Sequence, residues 1–326
     1  MSQGEPVVTQ VPEVAVVIPC YRVRKHIEAV IDGIGPEVGR IYVVDDACPE
    51  KSGSWVEEHC ADPRVAVLHH AENRGVGAAM VTGYRQAIAD GAEIIVKLDG
   101  DGQMDAALIP RFIRPIRDGE ADYTKGNRFF SIEGLGQMPP VRVLGNAALS
   151  FVSKLSSGYW ELFDPNNGYT AIHARVAALL PFEKISPRYF FESDLLFRLN
   201  TLRAVVTEIP MDATYGDEVS GLRPWYVVGE FAYKHLRNLL KRVFYNYFLR
   251  SFSIASVNLV VGLSMVAGGA RFGFWAWAHS SEMDAFASSG QVMLAALPIM
   301  IGVQLVLAFV NYDMASTPRT SLHRRL

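Results

Sequence analysis

Two hydrophobic patterns divide the chain. In the first hundred or so positions, short apolar runs rich in β-branched residues alternate with helix-like stretches. Toward the far end, apolar residues continue over long segments without a charge. The short runs at 14–18, 40–44, 65–69 and 93–98 predict strands, and the stretches at 25–34, 54–60 and 77–90 predict helices, the last ended by Gly91. Strands alternating with helices predict an α/β fold: a mostly parallel sheet flanked by helices on both faces. Sheets of this kind bind ligands at the carboxyl ends of their strands. Polar residues collect at those ends here: Pro19 and Tyr21 after the first strand, Asp45 and Asp46 after the second, Asp99 and Asp101 after the fourth.

The uncharged segments lie between Arg250 and Arg271 and between Asp284 and Asp313. Each approaches the roughly 20 residues that carry a helix across a ~30 Å hydrocarbon core. Asn258 and Pro298 within them are tolerated in such helices. Two buried core helices are the competing reading, which runs of this length disfavour. Cations flank the pair on the outside: Lys234, Arg237, Lys241, Arg242 and Arg250 before it, Arg319, Arg324 and Arg325 after it. The intervening stretch holds only Arg271, Glu282 and Asp284, with Trp275 and Trp277 suited to an interface. The positive-inside bias places both termini in the cytosol and the short connection outside. Residues 225–250 mix rings with cations and predict an amphipathic helix on the membrane surface, an ordinary surface helix being the alternative.

The expected organisation is therefore a flexible segment at 1–13, an α/β catalytic domain at 14–222, juxtamembrane amphipathic helices at 223–250, two transmembrane helices with a short outer loop at 251–312, and a basic cytosolic tail at 313–326. An integral membrane protein with two spans follows, most simply in a bacterial inner membrane. Gly262, Gly268 and Gly269 would let such spans associate, so a homo-oligomer is compatible.

Composition narrows the classes. Half of the 326 residues are hydrophobic and the formal net charge is −3, which gives no sign of a nucleic-acid partner. Cys20, Cys48 and Cys60 lack CxxC spacing and argue against a disulfide framework or a zinc site. Residues 1–13 lack the basic-then-apolar pattern of a signal peptide.

The chemistry concentrates in Val96-Lys97-Leu98-Asp99-Gly100-Asp101-Gly102-Gln103. Carboxylates two apart in an extended segment project in similar directions, and the glycines permit a tight turn. Such oxygen ligands suit Mg²⁺ or Mn²⁺, which would bridge a diphosphate and act as a Lewis acid on the leaving group. A single Asp in this setting is ordinarily a loop residue or helix cap; the repetition at two strand ends is what points to a site. No GxGxxG follows the first strand, so a dinucleotide-dehydrogenase reading lacks its phosphate loop. Asn73-Arg74-Gly75-Val76-Gly77 precedes a helix and could bring backbone close to a ligand.

At these motifs the sequence resembles family 2 glycosyltransferases of the GT-A fold, and more narrowly the polyisoprenyl-phosphate glycosyltransferases of the dolichol-phosphate mannosyltransferase type. The resemblance runs over about 14–221. It rests on Val17-Ile18-Pro19-Cys20-Tyr21, Val43-Val44-Asp45-Asp46-Ala47, Asn73 to Gly77, Asp99 to Gln103, Gly126-Asn127-Arg128, Asp164-Pro165-Asn166-Asn167-Gly168-Tyr169 and Phe191-Glu192. It implies that Pro19, Tyr21 and Asp45 or Asp46 hold base and ribose, with Gly75 and Glu192 also on the nucleotide-sugar. Asp99, Asp101 and Gln103 would hold the metal and the sugar diphosphate. Arg128 and Arg142 would grip the phosphate of the acceptor lipid, with Asn146 one helical turn after Arg142. Two departures stand out: the usual Asn-Glu after the first-strand Tyr is Arg22-Val23, and the segment 215–223, which often carries a Lys, offers Arg223.

The implied reaction is inverting transfer of a sugar from a UDP- or GDP-sugar to undecaprenyl or dolichyl phosphate at the cytosolic membrane face. Asp101, Arg128 and Arg142 are the residues expected to carry it. A lipid phosphate is already an anion and needs no general base; the enzyme has instead to bring two anions together. The alternatives are a membrane glycosyltransferase acting on a glycan hydroxyl, for which no Gln-x-x-Arg-Trp motif is present, and a non-catalytic membrane scaffold.

Overall fold

The computed structural model describes residues 13–129, 140–212, 224–284 and 286–326. The chain divides into two compact units, 1–239 with 318–326, and 240–317.

The first unit is built on a seven-stranded sheet of order β3-β2-β1-β4-β6-β5-β7. The strands are β1 (Val14–Cys20), β2 (Arg40–Asp45), β3 (Val65–His69), β4 (Ile94–Lys97), β5 (Tyr123–Asn127), β6 (Thr170–His173) and β7 (Val206–Pro210). β1 pairs parallel with β2 and β4, β2 with β3, and β5 with β7; β6 runs antiparallel to both β4 and β5. Central strands covered on both faces read as continuous apolar runs, which is why β1, β2 and β4 are legible in the sequence. β5 and β6 carry Lys125, Asn127, Thr170 and His173, and their polar residues hide them from a reading based on apolar runs.

Side chains alternate between two core layers, as the period of two in a strand requires. Val16, Ile18, Ile41, Val43 and Val96 face α1 (Ile27–Asp32), α2 (Ser52–His59) and α4 (Ile109–Arg117), meeting Ile27, Val56, Phe112 and Ile116. Ala15, Val17, Tyr42, Val44 and Ile95 face α3 (Val76–Ala89), α6 (Ala174–Ala178) and α7 (Phe191–Leu202), meeting Met80, Tyr84, Leu195 and Leu199. Gly83 lets the α3 backbone lie directly on β1: a Cβ there would stand 2.2 Å from a methyl of Val17. The unit is completed by α5 (Pro140–Ser157), most of α8 (Pro224–Phe244) and residues 318–326.

The second unit takes in the end of α8, a π-helical turn over Tyr245–Arg250, α9 (Ile254–Glu282) and α10 (Ser289–Ala315). Both α9 and α10 are long and apolar enough to cross a membrane, and only 22% and 11% of their most apolar windows are buried. Little of either helix is therefore covered by protein, as a core helix would be. Gly262 and Gly302 meet where the two pack: a Cβ on Gly302 would lie 2.6 Å from the Gly262 carbonyl oxygen. Gly269 likewise faces Ala295 and Ile299, whereas a Cβ on Gly268 would meet nothing within 4 Å. Two of the three glycines expected to let the spans associate thus face the neighbouring helix of the same chain. Arg242, buried at the end of α8, pairs through two nitrogens with Asp313 of α10 at 2.6 and 2.9 Å, and Tyr247 donates to the same carboxylate at 2.6 Å.

Candidate active site

Because β6 runs opposite to its neighbours, its start lies at the edge where the other strands end. The register fixes this: Lys97 of β4 and Lys125 of β5 both pair with Thr170. The edge therefore collects Tyr21, Asp45 and Asp46, Asp99 and Asp101, Asn127 and Arg128, and the loop Asn166-Asn167-Gly168.

Asp99 and Asp101 follow β4 directly, and both are partly exposed. Asp101 Oδ1 accepts from the backbone N–H of Gln103 at 3.0 Å, and Gly102 takes φ +79° to make the turn. The Asp99 backbone N–H donates to Met104 Sδ. Gly168 comes up against this pair: a Cβ there would lie 2.7 Å from Asp99 Oδ2 and 2.6 Å from Lys97 Nζ. The donor set is hard oxygen and small, and no group of three or more His, Cys, Asp or Glu able to hold a metal occurs among the described residues. Oxygen donors of this kind fit Mg²⁺ or Mn²⁺, which bind through one or two carboxylates and complete their shells with substrate phosphates.

Two lysines lie beneath the edge. Lys97 is fully buried; its Nζ stands 2.8 Å from Asp99 Oδ1 and 3.3 Å from Glu192 Oε1, and donates to the Gly168 carbonyl at 3.1 Å. Burial works against its charge, but the Asp99 and Glu192 carboxylates outweigh that and hold its pKa above the ordinary lysine value. Lys125 is also fully buried and donates to the Asn167 carbonyl. Burial pushes its pKa down to about 8, partly opposed by Glu192 and Asp164, while Lys97 and Arg128 add to the fall. Lys125 thus feels both the Asp99–Glu192 side and the Arg128–Asp164 side of one loop. In the sequence Lys97 shows only as a cation closing a strand, and Lys125 only as a cation within one.

Arg128, just past β5, is gripped by Asp164 through Nε at 2.8 Å and Nη2 at 3.1 Å. Such a two-point fork fixes the plane of the guanidinium. Asp164 is held in turn: its backbone N–H and that of Phe163 donate to Glu208 Oε1, whose other oxygen accepts from Asn127 Nδ2. Phe129 and Phe163 stack edge to face beside Arg128, and Lys154 lies over the Phe163 ring.

Asp45 and Asp46 turn inward, 4% and 3% exposed. Asp45 accepts from the N–H groups of Cys48 and Gly53 at 2.7 and 2.6 Å. Asp46 accepts from His70 Nδ1, from Arg74 N and from Gly75 N, at 2.7 to 2.8 Å. Each carboxylate thus fixes a loop at the edge. Gly75 caps α3 at φ +94°, where a Cβ would lie 2.6 Å from the Pro187 carbonyl oxygen. Tyr21 is 42% exposed at the end of β1, and Pro19 is partly buried within it. Arg22, which replaces the expected Asn, sits at φ +60°, donates its N–H to Cys48 Sγ and places its guanidinium 5.4 Å from the Tyr21 ring. Arg142 and Asn146 lie one turn apart on α5, with side chains outside the described residues; Arg223 falls wholly outside them.

The mostly parallel seven-stranded sheet flanked by helices has the GT-A fold. The chain belongs to glycosyl transferase family 2, whose profile matches residues 15–178. Among its relatives, the UDP-N-acetylglucosamine–dolichyl-phosphate N-acetylglucosaminyltransferase of Methanococcus voltae is 27% identical, over 61% of this chain and 84% of its own length. The undecaprenyl-phosphate mannosyltransferase of Micrococcus luteus is 28% identical over 61% and 82%. The fold is shared with glucosyl-3-phosphoglycerate synthase of Mycobacterium tuberculosis, solved with Mn²⁺, uridine diphosphate and glucosyl-3-phosphoglycerate: TM-score 0.53, 20% identity, 71% of this chain and 80% of that one.

Proposed function

We propose that this glycosyltransferase moves a sugar, with inversion, from a nucleoside-diphosphate sugar to a polyisoprenyl phosphate at the cytosolic face of a membrane. The observation that carries this reading is the division of one strand edge into an anionic half, Asp99 and Asp101, and a cationic half, Arg128 locked by Asp164, on either side of the Asn166–Gly168 loop. The names of the relatives point to the same donor and acceptor classes. The two apolar helices would keep the domain where a lipid phosphate lies.

Tyr21 offers an exposed ring at the donor end, and Asp45 and Asp46 act through the loops they fix, Asp46 holding Gly75 where backbone can approach the nucleotide. Asp99 and Asp101, with Gln103 beside them, would hold Mg²⁺ or Mn²⁺, which supplies Lewis-acid stabilisation of the departing diphosphate. Glu192, held by Lys97, faces the sugar. Arg128, with Arg142 and Asn146 from α5, orients the acceptor phosphate oxygen in line with the anomeric carbon and offsets its charge. No proton has to be removed from that oxygen.

The test is a panel of UDP- and GDP-sugars offered to the purified full chain with undecaprenyl phosphate and Mn²⁺ or Mg²⁺. Transfer into the lipid fraction is expected with one donor. Transfer only to a glycan hydroxyl would select the alternative acceptor, and no hydrolysis or transfer of any donor would select a scaffold. Asp101→Ala is expected to lower transfer at least about a hundredfold in a folded protein; wild-type turnover in that variant would remove the metal site.

A further inference from the structure

We propose that Lys97 is a positioning residue that keeps the donor-free site from holding a divalent cation, so that the cation is retained only together with the donor diphosphate. The inference rests on the transferase reading above and adds an order to its binding steps.

The charge of Asp99 is matched within the protein itself. Of the two carboxylates at the turn after β4, Asp99 has a buried ammonium 2.8 Å from its Oδ1. The same ammonium reaches Glu192 at 3.3 Å, so the Lys97–Asp99–Glu192 group sums to one negative charge shared over two acids. Lys97 cannot move away easily. It is walled in beneath the sheet edge, and its third contact, the Gly168 carbonyl, belongs to the loop that presses on Asp99 Oδ2. A divalent ion approaching Asp99 meets a carboxylate largely neutralised by a cation that stays in place. Interactions between charges at such separations in a partly buried site are strong. The nearby third acid, Glu192, is held by the same ammonium, and among the described residues no group of three His, Cys, Asp or Glu is placed to hold a metal ion. A nucleoside diphosphate brings two or more negative charges of its own and reverses that balance. Coupling of this kind is reciprocal: the factor by which nucleotide tightens the ion is the factor by which the ion tightens nucleotide.

Lys97 could instead serve only to neutralise Glu192 and support the sheet. The two roles differ in what they predict for metal binding without nucleotide, which can be read by electron paramagnetic resonance of free Mn²⁺ titrated with the full chain in detergent, with and without UDP. Wild type is expected to bind Mn²⁺ weakly alone and at least about tenfold more tightly with UDP. Lys97→Met, which keeps the length of the side chain and removes its charge, is expected to tighten Mn²⁺ about tenfold without UDP and to shrink the UDP effect by the same factor. Lys97→Arg should restore wild-type coupling. Should Lys97→Met fail to fold because Glu192 loses its partner, Lys97→Gln, which keeps a neutral hydrogen-bond donor and leaves both carboxylates in place, carries the same expectation. A folded variant that binds Mn²⁺ no more tightly than wild type without UDP overturns the inference and leaves the transferase reading standing. Wild type that fails to bind Mn²⁺ even with UDP overturns both.

Discussion

At the scale of single residues, each buried carboxylate of the edge is matched to a cation or to backbone N–H groups, and the match indicates its task. Asp164 is fixed by Glu208 through the backbone and grips the guanidinium of Arg128 at two points. It acts by aiming Arg128. Asp164→Asn keeps the shape but replaces one acceptor oxygen with a donor facing a guanidinium, so the fork opens. The expected result is a rise of about tenfold in KM for the lipid phosphate with little change in KM for the donor; steady-state kinetics with each substrate varied in turn would check it, and an equal rise for both would contradict the assignment. The sequence made Asp99, Asp101 and Gln103 legible because carboxylates directly after a β-branched run stand out. Lys97 and Lys125 stayed hidden because their meaning lies in burial, and burial of a lysine shows only when Gly168 and Asn167 arrive from across the sheet.

At the scale of elements, the first half of the fold could be read almost to the residue: 65–69 is β3, and the helix expected at 77–90 is α3 at Val76–Ala89. The second half of the sheet could not. β5 reads Tyr-Thr-Lys-Gly-Asn and β6 is four residues long, and both become strands through pairing with β4 and β7 rather than through local pattern. The same dependence on tertiary fit governs α3. It approaches β1 so closely at Gly83 that an alanine methyl would overlap the Val17 side chain. Both residues are buried, so relief requires the helix to shift away from the sheet, carrying Gly75 and its contact with Asp46 along. Gly83→Ala should gain up to about 1 kcal/mol in helix propensity yet lose about 1–3 kcal/mol to overpacking. A net fall in thermal stability, with weaker nucleotide binding, is expected by calorimetry and UDP titration; an unchanged melting temperature would show that α3 has room to move.

At the scale of the whole molecule, the chain leaves the first unit after Leu239, runs through the apolar helices and re-enters it at Pro318. Residues 318–326, most of the stretch expected as a basic cytosolic tail, belong to that unit. Asp122, fully buried at the start of β5, accepts from the N–H groups of Val205, Leu322 and His323 and pairs with His323 Nδ1, while Ser321 Oγ donates to the Gly119 carbonyl. This is the edge opposite the site, so the clasp bears on stability rather than on substrates. His323 stacks on His173 at 4.3 Å. Burial, then the neighbouring His323 and Arg175, push His173 down to about 4 against the pull of Asp122, and its Nδ1 accepts from Arg175 N as a neutral ring must. His235, buried against Ser156 and Phe190, is pushed down to about 4 by burial alone. For both rings the folded value lies below the unfolded one near 6.5, so below that pH the unfolded chain binds more protons and stability falls. It is fully present above about pH 6.5 and lost progressively toward about pH 4. Carboxylates add to an acid loss in the same direction, so the variant that isolates the histidine is His173→Asn, which keeps an N-cap acceptor and removes the titration. It should flatten part of the decline between pH 6.5 and 4 and leave stability at pH 7.5 nearly unchanged. Deleting residues 318–326 should act differently, stranding the Asp122 carboxylate at a cost of about 2 kcal/mol, or about 5 °C in a unit of this size. It should also weaken the acid effect, because His173 loses the ring that covers it. Melting curves of the full chain and both variants across that pH range decide the matter, and a deletion that melts with wild type at every pH would mean that the tail does not hold the sheet.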